Sequence, residues 1–118
     1  MGLFSFFKSK SSKTQPEDLF QITIDNYGVK VEHPKRNTEH INWEDIEEIK
    51  LINTDTGPFA PDIWLALLGK ESGCLIPHGA NGYEKVYDKV SKYPNFNFEN
   101  VINSMTCSTN EEFLLWSR

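Results

Sequence analysis

The sequence predicts an α+β fold: an antiparallel sheet of about six to seven short strands, then two helices and a terminal strand. Two observations carry this expectation. Up to Ile76, apolar and polar residues alternate in short runs, which is the period of half-buried strands. Beyond Pro77 the apolar spacing becomes helical, and strands followed by helices indicate α+β rather than alternating parallel βαβ units. The 118 residues suit one domain, assigned to residues 18–118, preceded by a basic and aromatic extension over residues 1–17.

The elements follow in order. Phe20, Ile22 and Ile24 alternate with polar residues as a first strand. Asn26-Tyr27-Gly28 supplies turn chemistry, and Val29–His33 alternates again, giving a hairpin. After the Pro34–Asn37 turn, Thr38–Trp43 reads as a third strand with Ile41 and Trp43 on one face. Glu44–Glu48 is an acidic corner, and Ile49–Asn53 is a fourth strand. Thr54–Pro61 is a loop, because its glycine and two prolines interrupt any ladder. Asp62–Leu68 is apolar on both faces and therefore a central strand covered on both sides. A turn at Gly69–Gly73 leads to Cys74–Ile76, which Pro77 ends.

Tyr83, Val86, Tyr87 and Val90 fall at i, i+3, i+4 and i+7, so a helix spans them and stops before Pro94. Asn97 is the N-cap of a second helix, with Phe98, Val101, Ile102 and Met105 as its buried stripe. Phe113–Trp116 is the last strand.

The net charge is −5, unevenly spread. Of the 12 basic residues, Lys8, Lys10 and Lys13 stand in a stretch without acids, leaving nine to face all 17 acids. An acidic body repels phosphate backbones, which argues against nucleic acid, and it attracts a basic protein. Leu3–Phe7, broken by Ser5, is too short for the apolar region of a secretory signal, and no stretch approaches a membrane span. With Cys74 and Cys107 read as two buried thiols in a reducing compartment, the expected location is cytoplasmic. Residues 1–13, aromatics beside lysines, have two readings: a short interfacial membrane anchor, or a frayed start packed against the domain.

Little points to catalysis. His33 and His40 flank one hairpin without a cysteine or carboxylate at zinc spacing, so they read as solvated strand-end residues. His78 lies in the Gly-rich stretch Pro77–Gly82 before a helix, but P-loop and dinucleotide spacings are missing, and a structural turn is the simpler reading. Cys74 sits inside a strand, where thiols are inert. The expectation is a non-enzyme with neither cofactor nor metal. Two features suit protein contacts instead. One is the acidic corner, with Glu44, Asp45, Glu47 and Glu48 beside Trp43 and interrupted only by Ile46. The other is the loop of Asp55, Phe59 and Asp62, whose prolines limit the entropy lost on binding. Phe59 is either an exposed anchor or a lid folded back over the core. These seven residues are the candidate partner-binding surface.

The phrase Ile41-Asn42-Trp43-Glu44-Asp45-Ile46-Glu47-Glu48-Ile49 resembles the I-x-W-x-D-I-x-x-I junction of bacterial pleckstrin-homology-like domains, over roughly residues 20–76. That likeness implies a peripheral adaptor, held to the inner leaflet by residues 1–13. The segments GPFAPD, GCLIPHGANG and FLLW, with the size and acidity of the chain, resemble small bacterial proteins of the immunity type found in contact-dependent growth inhibition. That likeness implies a cytoplasmic inhibitor that covers a basic toxin domain, often a nuclease. It is the leading expectation, and the membrane adaptor is the alternative.

Overall fold

A computed structural model describes residues 16–55 and 62–118. It bears out the α+β reading: seven strands, two helices and two short 3-10 turns. The expected single run of strands is divided between two antiparallel sheets. The first contains β1 (Gln21–Ile24), β2 (Gly28–His33) and β3 (Arg36–Asn42), in that order. The second contains β4 (Glu48–Asn53), β5 (Ile63–Leu68), β6 (Gly73–Pro77) and the terminal strand β7 (Glu111–Ser117), in the order β6-β5-β4-β7.

Turn chemistry shapes the first sheet. The Asp25 carboxylate accepts from the backbone N–H groups of Tyr27 (2.8 Å) and Gly28 (2.9 Å), and these two bonds hold its pKa below the usual carboxylate value. Gly28 then passes so close to the Ile41-Asn42 backbone that a Cβ there would overlap the Ile41 carbonyl oxygen. β2 and β3 meet across Pro34-Lys35, with His33 opposite Arg36. Trp43 leaves the strand and starts a 3-10 turn, Trp43–Asp45. Its backbone N–H donates to Tyr27 O and its indole N–H to Asp25 O, both at 2.9 Å, so the β1–β2 turn and this corner are clamped together.

In the second sheet β5 is central, as expected from its apolar run, and Leu65, Ala66 and Leu67 are fully buried. Ile49, Leu51, Leu65, Leu67, Cys74 and Ile76 share a core with Val29, Val31 and Ile41 of the first sheet. Against β7 the register shifts between Ile49 (opposite Trp116) and Lys50 (opposite Leu114). The extra residue, Leu115, is buried, while Leu114 is exposed. The two sheets meet at β3 and β6, where the Glu39 carboxylate accepts from the Leu75 N–H at 2.9 Å.

Helix α1 (Tyr83–Val90) follows the predicted spacing and buries Tyr83, Val86 and Val90. It starts from Gly82 at φ 103°, a left-handed conformation suited to glycine that brings the chain against Ile22 of β1. Helix α2 (Phe98–Thr106) has the expected cap: Asn97 Oδ1 accepts from Asn100 N at 3.0 Å. Its orientation overturns the sequence reading. The fully buried residue is Ser104, with Val101 partly buried, whereas Phe98, Ile102 and Met105 are 54%, 63% and 45% exposed. The helix is turned by about 100° from the orientation that would bury its apolar stripe.

The cause is polar. Asn53, the last residue of β4, is buried and donates to the carbonyls of Ser104 (2.8 Å) and Cys107 (3.3 Å) at the end of α2, and its Oδ1 accepts from Ser104 Oγ at 2.6 Å. Buried polar groups cost free energy unless they are paired, so this knot fixes the inward face of α2. At the other end, Asn97 N donates to Leu115 O and Asn100 Nδ2 to Leu114 O, each at 2.8 Å.

Candidate partner-binding surfaces

The predicted surface residues separate into two groups. Glu44 and Asp45 lie in the 3-10 turn, and Glu47 lies just before β4. With Lys70, Glu71 and Ser72 these three line an open depression of about 350 Å³. The corner is built by backbone bonds from Glu47 N to Leu68 O (2.7 Å) and from Arg118 N to Glu47 O (2.8 Å). The Arg118 guanidinium reaches over the corner to the carbonyls of Glu44 and Ile46 and pairs with the Glu47 carboxylate at 3.3 Å. The ion pair is solvent-exposed and contributes little, on the order of 0.5 kcal/mol; the carbonyl bonds are what secure the chain end. Asp45 accepts from Asn42 Nδ2 at 3.3 Å. Glu44 and Glu71 have no cationic partner among the described residues.

Glu48 opens β4 and stands 4.0 Å from Lys50, which pairs more closely with Glu112 at 3.2 Å. Asp55 and Asp62 lie at the opposite end of β4 and β5, where Thr54 N donates to Asp62 O at 2.8 Å. The rise of the intervening strand is roughly 17 Å, so the two acidic groups stand at opposite ends of one hairpin. Phe59 and residues 1–13 lie outside the described residues.

The helix stripe is what the sequence reading missed. The pattern at Phe98, Ile102 and Met105 was visible, but its solvent-facing orientation was not. Met105 also borders a depression of about 330 Å³ that includes Asp55 and Asp62, and an adjoining one includes Glu111 and Glu112.

Several of the groups considered for chemistry pack against neighbouring side chains or backbone. His33 packs on Phe20 and its Nδ1 accepts from Lys35 N. His78 lies edge-on to Tyr83 with ring centroids 5.0 Å apart. Among the described residues there is no cluster of three or more His, Cys, Asp or Glu able to hold a metal ion. Both cysteines are free thiols; Cys107, expected to be buried, is partly exposed. Cys74 lies 3.7 Å from Val29 O. Burial, and then the charge of Glu39, pushes its thiol from 9.0 up to about 12. Burial also raises the Tyr83 hydroxyl above its usual 10.0, with Tyr87 and Glu84 adding to the shift.

These shifts give a prediction. The folded protein holds both protons more tightly than the unfolded chain, so their contribution to stability is complete below pH 9 and is lost as pH rises toward 12. The thermal midpoint should therefore fall steadily between about pH 9 and pH 11. In native protein at pH 8, Cys107 should react with iodoacetamide and Cys74 should not. Equal alkylation of both thiols would refute the buried placement of Cys74.

No family model, curated protein or solved structure matches this chain. Among the described residues, no helix is long and apolar enough to cross a membrane.

Proposed function

We propose that this chain is a non-catalytic protein-binding domain that recognises a basic protein, acting as a cytoplasmic immunity protein that neutralises a basic toxin domain. One observation carries the reading: the depression at the Trp43–Asp45 corner, lined by Glu44, Asp45, Glu47 and Glu71 with Lys70 as the cation in its lining, where, among the described residues, Arg118 pairs with Glu47 alone. An open, negatively charged hollow raises the encounter rate with a positive partner, and its carboxylates discriminate against acidic proteins.

The test is growth protection by this chain in cells expressing a basic toxin domain, together with association kinetics at two salt concentrations. Glu44→Lys combined with Glu71→Lys should leave folding intact, because neither side chain holds another in place. It should slow association by about tenfold at low salt and abolish its salt dependence. Unchanged protection and kinetics would refute the assignment of this surface. A second reading, the peripheral membrane adaptor, is favoured by the aromatics and lysines of residues 1–13. Flotation of the full chain on anionic vesicles, lost when Leu3, Phe4, Phe6 and Phe7 are replaced by serine, would support that reading instead.

A further inference from the structure

We infer that the outward face of α2 is the apolar anchor site of the partner interface, and that it takes an amphipathic segment with a lysine or arginine beyond the end of its apolar face. The inference rests on the protein-binding reading and assigns it a second surface.

Three observations lead here. Phe98, Ile102 and Met105 are large, share one helix face at i, i+4 and i+7, and are each close to half exposed or more. The exposure is enforced. Asn97 and Asn100 hold the start of α2 to β7, and Asn53 with Ser104 holds its end to β4, so the helix cannot roll inward without breaking these hydrogen bonds, of which the Asn53–Ser104 pair is buried. A rigid apolar face that needs no rearrangement to meet a partner loses little entropy on binding.

Charge at the end of the stripe defines the occupant. The depression that Met105 borders includes Asp55 and Asp62, and none of the described residues lining it is basic; the adjoining depression adds Glu111, while Glu112 there is paired with Lys50. Along α2 itself the only charge is Glu99. A second copy of the chain fits poorly. Antiparallel helices would bring Glu99 toward Asp55 and Asp62, and parallel helices would bring those aspartates toward their own copies. An apolar segment ending in a cation satisfies both the stripe and the carboxylates, in the way apolar anchors and charges are combined at helix-in-groove interfaces. Residues 3–13 of this chain share that composition and are the competitor to be separated.

The probe is a labelled amphipathic helix of about 18 residues, leucine on one face and lysine on the other, with a glutamate-for-lysine control. Fluorescence anisotropy with the full chain should show saturable binding of the lysine peptide only. Affinity should fall about tenfold, or 1.4 kcal/mol, on Ile102→Asp and on Asp55→Asn with Asp62→Asn. Ile102→Gln should give an intermediate loss. All three changes are at the surface and should leave the thermal midpoint in place. Four outcomes overturn the inference: no binding of the peptide; binding insensitive to Ile102→Asp; a dimer by sedimentation that Ile102→Asp dissociates; or binding that emerges only when Leu3, Phe4, Phe6 and Phe7 are replaced by serine. Loss of peptide binding on Glu44→Lys with Glu71→Lys, with no effect of Ile102→Asp, would refute this anchor while leaving the basic-partner reading intact.

Discussion

Replacing Asn53 by leucine is expected to destabilise the protein by about 3 kcal/mol and to release α2 from the sheet. The side chain is 5% exposed and its amide satisfies three groups at once: the Ser104 hydroxyl and the carbonyls of Ser104 and Cys107. Leucine supplies volume but leaves the buried Ser104 groups and the partly buried Cys107 carbonyl unpaired, at a cost of about 1–3 kcal/mol for each that finds no new partner. The Ser104 hydroxyl can turn back to a carbonyl of its own helix, so its share is the smallest. Urea denaturation gives the stability. Hydrogen exchange of the α2 amides shows whether the helix detaches before the sheets unfold. Adding Ser104→Ala should cost less in the Asn53→Leu background than in the native one, since the hydroxyl has then already lost its partner. A loss under about 1 kcal/mol, with α2 exchange unchanged, would mean that the knot does not set the helix orientation.

The second large effect is expected at Gly28. Alanine there would press its methyl group into the Ile41 carbonyl oxygen and to within 2.8 Å of Asn42 Cα. Both are backbone atoms in a paired strand, so neither can yield as a flexible side chain would. The expected cost is about 3 kcal/mol, at the upper end for overpacking. The displacement would also separate Tyr27 from Trp43, opening the clamp that positions the Glu44–Asp45 turn. Gly28→Ala should therefore shift the Trp43 indole N–H resonance and weaken recognition at the acidic corner, although no carboxylate is changed. Near-native stability with an unmoved indole signal would show that β2 and β3 have more room than the structure gives them.

Much of the fold was legible because its signals are local. Period-two alternation at Phe20–Ile24 and Val29–His33, the two-faced apolar run before Leu68, and the Asn97 cap each follow from a few adjacent residues. The division into two sheets was not legible, because strand pairing joins residues far apart in sequence, such as Ile49 with Trp116. The orientation of α2 was hidden for a related reason. Its apolar stripe points to burial, and only the long-range pair of Asn53 and Ser104, 51 residues apart, reverses that. The acidic corner was legible as composition. Its separation from Asp55 and Asp62 depends on which ends of β4 and β5 they occupy.

The contact between Glu39 and Leu75 has a consequence for self-association. A β-strand whose amides face outward can template strands from other chains, the first step toward cross-β aggregates. The Leu75 N–H on β6 is occupied by a carboxylate of the same molecule. Gly82 presses on Ile22 at the rim of β1, and Asn97 and Asn100 occupy carbonyls of β7. A protein whose proposed task requires apolar side chains to face water thus has main-chain groups at three of its sheet edges engaged or covered within the same molecule, which makes those positions poorer templates for a stranger's strand.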